Sequence, residues 1–193
     1  MERIITYFEK PGHHNSQVCL DRVLNEVTNR QFKHIVVAST TGETGYLFAQ
    51  ALKDKGVNLV IVTHSYGFRE PNHSEMSPVN AESIKAFGGK IFTGTMITHS
   101  LETELAKKFG GVYPTSLVAL TLRRFGEGTK VCCEIVMMAA DGGLIPEQEE
   151  VIAVAGTGRG ADTVIIVQGA ASKRFLDLKI LEIIAKPRGG INW

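Results

Sequence analysis

Apolar and polar positions along the chain switch between a strand period and a helix period, and the switches lay out the elements. Ile4–Phe8 is a short apolar run that predicts a first strand. Leu20, Val23, Leu24 and Val27 then share one helical face, with Ser16 placed as the cap. His34–Ala38 reads as a buried strand; Leu47, Phe48, Ala51 and Leu52 mark the inner face of a helix that Gly56 is positioned to end. Asn58–Thr63 is a third strand. Residues 64–78 carry neither period and many turn formers, which makes a long βα connection of the kind that often carries function. Asn80 stands as the cap of a short helix running to Gly88-Gly89, before a strand at Lys90–Thr93.

Two amphipathic helices follow, one with Leu101, Leu105 and Phe109 on its apolar face, the other with Val118, Thr121, Leu122 and Phe125, a surface that packs internally or against another subunit. Lys130–Ala140 is apolar nearly all round, which predicts a buried helix whose Cys132-Cys133 and Met137-Met138 are core. Val151–Ala155 and Thr163–Gln168 are strands with only Gly156–Asp162 between them. No helix fits there, so the two must pair antiparallel. Lys179–Ala185 is a last strand, expected at an edge. Alternating strands and helices predict an α/β fold, a mostly parallel sheet covered on both faces. The chain reads as one domain, 1–193, with a helical insertion at about 97–142.

Composition changes this picture little. The 193 residues are 44% apolar and 21% charged, as in ordinary folded domains. Basic and acidic residues, 21 against 20, leave no field for nucleic acid or an anionic membrane. The pairs Lys107-Lys108 and Arg123-Arg124 fall on expected helix surfaces. Three sparse cysteines suit a reducing compartment, and no stretch reaches the roughly 18 apolar residues of a membrane span. A cytoplasmic protein is expected.

Two loops carry candidate chemistry. Ser39-Thr40-Thr41-Gly42-Glu43-Thr44-Gly45 joins a buried strand to a helix, where unpaired backbone N–H groups and the helix dipole favour an anion. Its hydroxyls add donors and Gly42 permits close approach; with no basic residue in the loop, one phosphate fits better than a polyphosphate. It is neither a Walker loop nor a dinucleotide fingerprint. The structural alternative is a capped helix after a glycine turn. The second loop, Gly156-Thr157-Gly158-Arg159-Gly160-Ala161-Asp162, opens a strand rather than a helix. As a flexible hairpin tip it could close over a ligand, with Arg159 as the missing charge and Asp162 accepting from ligand hydroxyls; a plain hairpin is the equal alternative.

The stretch His34–Thr63, with Ile-Val-Val-Ala-Ser-Thr-Thr-Gly-Glu-Thr-Gly leading to Val-Ile-Val-Thr, resembles the C-terminal domain of pyruvate kinase. Val-Ala-Gly-Thr-Gly-Arg-Gly-Ala-Asp-Thr-Val-Ile-Ile-Val resembles that domain's closing hairpin. More closely, the opening Tyr7–Gly12 through Asn15 and the helical segment Ser100–Asp141 make the chain similar to a family of stand-alone, mostly archaeal proteins built on this domain. The resemblance implies a three-layer α/β/α sandwich whose mixed sheet has a late antiparallel strand. It implies no pyruvate kinase activity, because nothing resembles the barrel that transfers the phosphoryl group, and it implies a homo-oligomer and an association with flavin mononucleotide (FMN).

On that reading Ser39, Thr40, Thr41, Gly42, Thr44 and Gly45 take the phosphate, while Thr63, His64, Gly156, Thr157, Gly158 and Asp162 meet the rest of the ligand. Glu9, Lys10, Gly12, His14, Asn15, Tyr66 and Phe68 are placed to flank the ring. His13-His14 and His64 could converge above the sheet, as ligand contacts or a proton donor in preference to a metal site; no metal is expected. Glu9 is the one acid singled out as a catalytic candidate, and His73 and His99 need no function. A non-catalytic sensor of a sugar phosphate or nucleotide is the competing reading, and an enzyme acting on a phosphorylated metabolite without flavin is a third.

Overall fold

The computed structural model describes residues 2–189, so the ends of the expected domain, residues 1 and 190–193, lie outside it. Seven strands form one sheet: β1 (Thr6–Phe8), β2 (His34–Ala38), β3 (Asn58–Thr63), β4 (Lys90–Thr93), β5 (Glu150–Ala155), β6 (Thr163–Gln168) and β7 (Lys179–Pro187). Their order is β1-β7-β6-β5-β2-β3-β4. β6 pairs antiparallel with both β5 and β7, and the remaining pairs are parallel. The helix-free connection predicts this reversal, and Ala155 faces Thr163 across its mouth. β7 is not at an edge: it lies between β1 and β6, and its long, half-buried run is paired on both sides. The short β1 closes that edge instead.

Among the described residues six α-helices cover the sheet: α1 (Ser16–Arg30), α2 (Glu43–Leu52), α3 (Pro78–Ala86), α4 (Leu101–Phe109), α5 (Pro114–Arg123) and α6 (Glu127–Asp141). Side chains alternate across the sheet with the period of two that strands impose. Ile35, Val37, Ile152 and Val154 pack under α1, α2 and α3 with Val23, Phe48 and Ile84. Val36, Val60, Ala153 and Ile165 face the other way, against Cys132, Val136 and Met138 of α6. The result is the three-layer α/β/α sandwich.

Two caps differ from expectation. Ser16 begins α1 after a 3₁₀ turn at His13–Asn15, and its Oγ donates to the His13 carbonyl. Ser77, not Asn80, precedes α3, because Pro78 with its fixed φ takes the first helical position. Asn80 therefore lies inside the helix, free to reach the loop beyond.

A candidate ligand cavity at the strand ends

Chain direction determines where a site can open. From β2 the chain runs through α2 to β3 and α3 to β4 on one side, whereas β5 pairs with the opposite edge of β2 after α6 has crossed the other face. The carboxyl ends of β2 and β5 thus flank a point where the strand order reverses, the usual place for a ligand crevice in such sheets. The two loops singled out in the sequence leave these two ends. A cavity of about 340 Å³ lies there, within the range of small-molecule sites.

The loop after β2 is held from below. The Ser39 hydroxyl accepts from the Gly45 N–H at 3.0 Å, and Thr63 Oγ1 donates to the Thr40 carbonyl at 2.9 Å. Asn80 Nδ2 and the Ser77 N–H both donate to the Thr41 carbonyl. Gly42 has φ +92°, and a Cβ there would sit 2.5 Å from the Asn80 Cβ, so the turn needs glycine. Gly45 admits Ile61 at the α2–β3 contact. Ser39, Thr40, Thr41 and Thr44 border the cavity, whereas Gly42 and Gly45 shape the backbone behind it.

His64, at the end of β3, borders the cavity as well. Its Nδ1 lies 2.6 Å from Glu75 Oε2, whose other oxygen is 3.0 Å from Arg69 Nε. Its Nε2 lies 3.4 Å from Thr40 Oγ1. Phe68 packs on it, ring centroids 4.4 Å apart, and meets His99 edge-on at 6.4 Å on the other side. The long loop 64–77 thus folds back to brace the histidine that opens it.

At the hairpin, Gly156, Gly158, Arg159 and Gly160 border the cavity, but Thr157 and Asp162 do not. Asp162 is fully buried; its Oδ2 accepts from the N–H groups of Gly12 and Thr157, and its Oδ1 from Thr163 Oγ1. A carboxylate so engaged fixes the loop rather than meeting ligand hydroxyls. Ser16 Oγ accepts from the Ala161 N–H, and a Cβ on Gly160 would lie 2.4 Å from the His13 Cα. The hairpin is therefore pinned at its base, not a freely hinged tip.

The same packing places the first loop behind the hairpin, away from the cavity. Asn15 is buried and donates to the Lys10 and Gly12 carbonyls, while Glu9, Lys10, His13 and His14 are exposed. None of Glu9, Lys10, His13 and His14 borders the cavity that His64 lines; His13 packs instead against Gly160 of the hairpin. Tyr66 is 64% exposed and does not border the cavity; of the ring-flanking set Phe68 alone among the described residues does.

The opposite wall comes from the helical segment. Lys130 Nζ pairs with Glu134 Oε2 at 2.6 Å, with only 2% and 1% of these side chains exposed. Glu134 Oε1 accepts from the N–H and hydroxyl of Thr98. Burial alone would raise the Glu134 carboxyl, but Lys130 and the Thr98 bonds outweigh it and hold it below the usual carboxylate range. His99, 3.5 Å from Lys130 Nζ, is pushed down by burial and by the Lys130 charge. Arg123 pairs with Glu127 at 2.7 Å. The signal for this wall lies in the sequence: Glu127, Lys130 and Glu134 recur every three or four residues, one face of α6, beside an apolar run, with Arg123 ending the helix before it.

The cysteines are core. Cys19, Cys132 and Cys133 are buried, and burial pushes the Cys19 and Cys133 thiols up to about 12. Among the described residues, no group of three or more His, Cys, Asp and Glu could hold a metal ion, and no helix is long and apolar enough to cross a membrane.

Among solved structures, that of O-ureido-L-serine synthase aligns with 66% of this chain and 48% of its own at 19% identity, with a TM-score of 0.32. This chain thus spans about half the length of that protein, and so slight a likeness bears on neither fold nor function. The family match is of another kind. Residues 19–168, from α1 through β6 and including both loops and the helical segment, match the pyruvate kinase alpha/beta domain. The chain belongs to the pyruvate kinase alpha/beta domain family.

Proposed function

We propose that the protein binds a phosphorylated small molecule in the cavity between β2 and β5, with FMN as the first candidate. The observation that carries this reading is the meeting of the hydroxyl loop and Arg159 around one cavity at the strand-order reversal. Ser39, Thr40, Thr41 and Thr44 offer donors for one phosphate, and Arg159 supplies the charge that the loop lacks. Phe68 and Met96 give apolar surface for a flat ring. FMN would bring hydride and single-electron chemistry when bound; these residues would hold its phosphate and wall its ring. A flavin spectrum of the purified protein, or saturable FMN titration weakened about tenfold by Thr41→Ala and more by Arg159→Ala, is the expected result. A colourless protein that does not bind FMN would remove the flavin.

A second reading, a sugar phosphate or similar metabolite, is favoured by the ionisable wall of His99, Lys130 and Glu134, which suits hydroxyls and carbonyls better than a flavin ring. Thermal stabilisation by phosphorylated sugars, but not FMN, would select it. We also propose a homo-oligomer joined through α4 and α5, where Leu101, Phe109, Leu117 and Leu120 are exposed. Sedimentation of wild type and Leu117→Glu tests it: loss of the larger species supports the contact, and a monomeric wild type removes it.

A further inference from the structure

The two walls of the cavity carry different halves of an acid–base device. On one side Glu75 faces His64 Nδ1 at 2.6 Å, and Arg69 holds the carboxylate from its other oxygen. The carboxylate accepts a hydrogen bond from Nδ1–H, which leaves the lone pair of the neutral imidazole on Nε2. Nε2 has only the long contact to Thr40 Oγ1, 3.4 Å, and the imidazole borders the cavity beside the hydroxyl loop. The arrangement is that of a base oriented by an acid. On the other side, the Lys130 ammonium has three donors. One is directed to Glu134; the His99 Nδ1–H faces Thr98 Oγ1 at 3.1 Å and so takes none, and Lys130 borders the cavity. Phe68 packs between His64 and His99, so the two sets share one small cavity with an apolar divider that limits water.

We propose that this cavity catalyses proton transfer at a carbon next to a carbonyl in a phosphorylated small molecule, with His64 as the base and Lys130 as the cation on the developing oxyanion. The inference rests on the phosphate half of the reading above and not on the flavin. A base and a cation, with the phosphate anchored alongside, are the parts that enolisation needs. The carbon–hydrogen bond breaks, its proton passes to His64 Nε2, and its electron pair becomes an enolate whose oxygen accepts from the Lys130 ammonium. Return of the proton to the same carbon gives exchange or epimerisation; in a hydroxycarbonyl, its return to the former carbonyl carbon gives an isomer, with the neighbouring hydroxyl proton passing to the former carbonyl oxygen as the new carbonyl forms. Neither outcome needs an oxidant or reductant. Glu75 is a positioning residue, because it acts through the imidazole.

Deuterium uptake from heavy water tests this on the full chain, with dihydroxyacetone phosphate, glyceraldehyde 3-phosphate and ribose 5-phosphate as probes and proton NMR as readout. Calorimetry with the same compounds, FMN and inorganic phosphate measures binding separately. Exchange above the protein-free rate is expected with at least one probe. His64→Gln lowers it about 100-fold or more at nearly unchanged affinity. Glu75→Gln lowers kcat with KM held, a split that a merely structural carboxylate would not give, and Glu75→Asp, which keeps the charge facing Nδ1, restores part of it. Lys130→Arg, which keeps the charge against Glu134 and so the fold, retains binding but loses exchange roughly tenfold through misplacement of the donor. Binding without exchange, or exchange indifferent to His64→Gln, overturns the catalytic inference and leaves the phosphate site standing. No binding of any probe, inorganic phosphate included, overturns both.

Discussion

The loop wall and the helix wall of the cavity are built from opposite materials. On the loop side, hydroxyls and glycines stand on turns after β2 and β5, and backbone bonds fix them. On the helix side, Lys130 pairs with Glu134 within α6, and Arg123 at the end of α5 pairs with Glu127 at the start of α6. Loops lose little by mutation of a bordering hydroxyl, because the backbone holds the shape. The helix wall is different in kind: each charge there depends on its partner to remain buried.

The largest expected effect therefore comes from breaking that partnership. Lys130→Ala leaves Glu134 charged at 1% exposure, which should cost about 3–5 kcal/mol in urea unfolding. Lys130→Met with Glu134→Gln should cost clearly less, since no charge is stranded and the Gln oxygen still accepts from Thr98. Acid should attack the same wall. His99 and Glu134 both have folded-state values below their ordinary ones, so in the windows below those ordinary values the unfolded chain binds more protons. Stability is then fully present above the imidazole range, falls first as His99 is forced to charge, and falls again through the carboxylate range as Glu134 protonates. In the Met/Gln variant the second fall should shrink, as read from urea midpoints between about pH 7 and 4.

The hairpin gives an intermediate effect that can show whether the loop wall is as rigid as its bonds imply. Gly160 has φ +71° and a Cβ there would lie 2.4 Å from the His13 Cα, while Gly158 has φ +78° with nothing within 4 Å. Gly158→Ala should cost only the left-handed backbone, about 1–2 kcal/mol. Gly160→Ala adds overpacking of about 1–3 kcal/mol, because the His13 backbone it would meet is pinned by Ser16 and cannot swing away. Equal midpoints for the two variants would mean that the hairpin moves freely from the first loop.

This division explains what the sequence could be made to yield. The strands, the helices and the reversed β6 are legible because period and loop length are local properties; the same locality places Ser39–Thr44 at the end of a buried strand, where the Ser39 hydroxyl is engaged by the Gly45 N–H. Lys130 was read only as the start of a buried apolar helix, and buried it is; what its segment hides is that a charge inside such a helix must have a partner four residues on. Asp162 failed in the opposite sense. Its place beside Thr157 and Gly158 suggested ligand contact, but its bonds go to Gly12, 150 residues away, and no local pattern announces a donor so remote. The edge position expected for β7 failed for the same reason, since β1 returns from the start of the chain to pair with it.

The smallest effects separate Tyr66 from Phe68, which sequence treated as a pair. Tyr66 is 64% exposed and takes no part in the cavity, so Tyr66→Ala should shift stability by no more than about 0.5 kcal/mol. Phe68 stacks on His64 and meets His99, and losing those ring contacts should cost on the order of 1 kcal/mol. The more telling difference lies in hydration. Phe68→Ala removes the apolar divider and admits water between the two histidines, which weakens burial as the leading cause of His99's low value. Histidine NMR titration should then show His99 moving back up toward the ordinary imidazole range in Phe68→Ala and staying in place in Tyr66→Ala. If both variants left His99 where it was, its depression would come from the Lys130 charge instead, and the helix wall would govern the histidines without help from the loop.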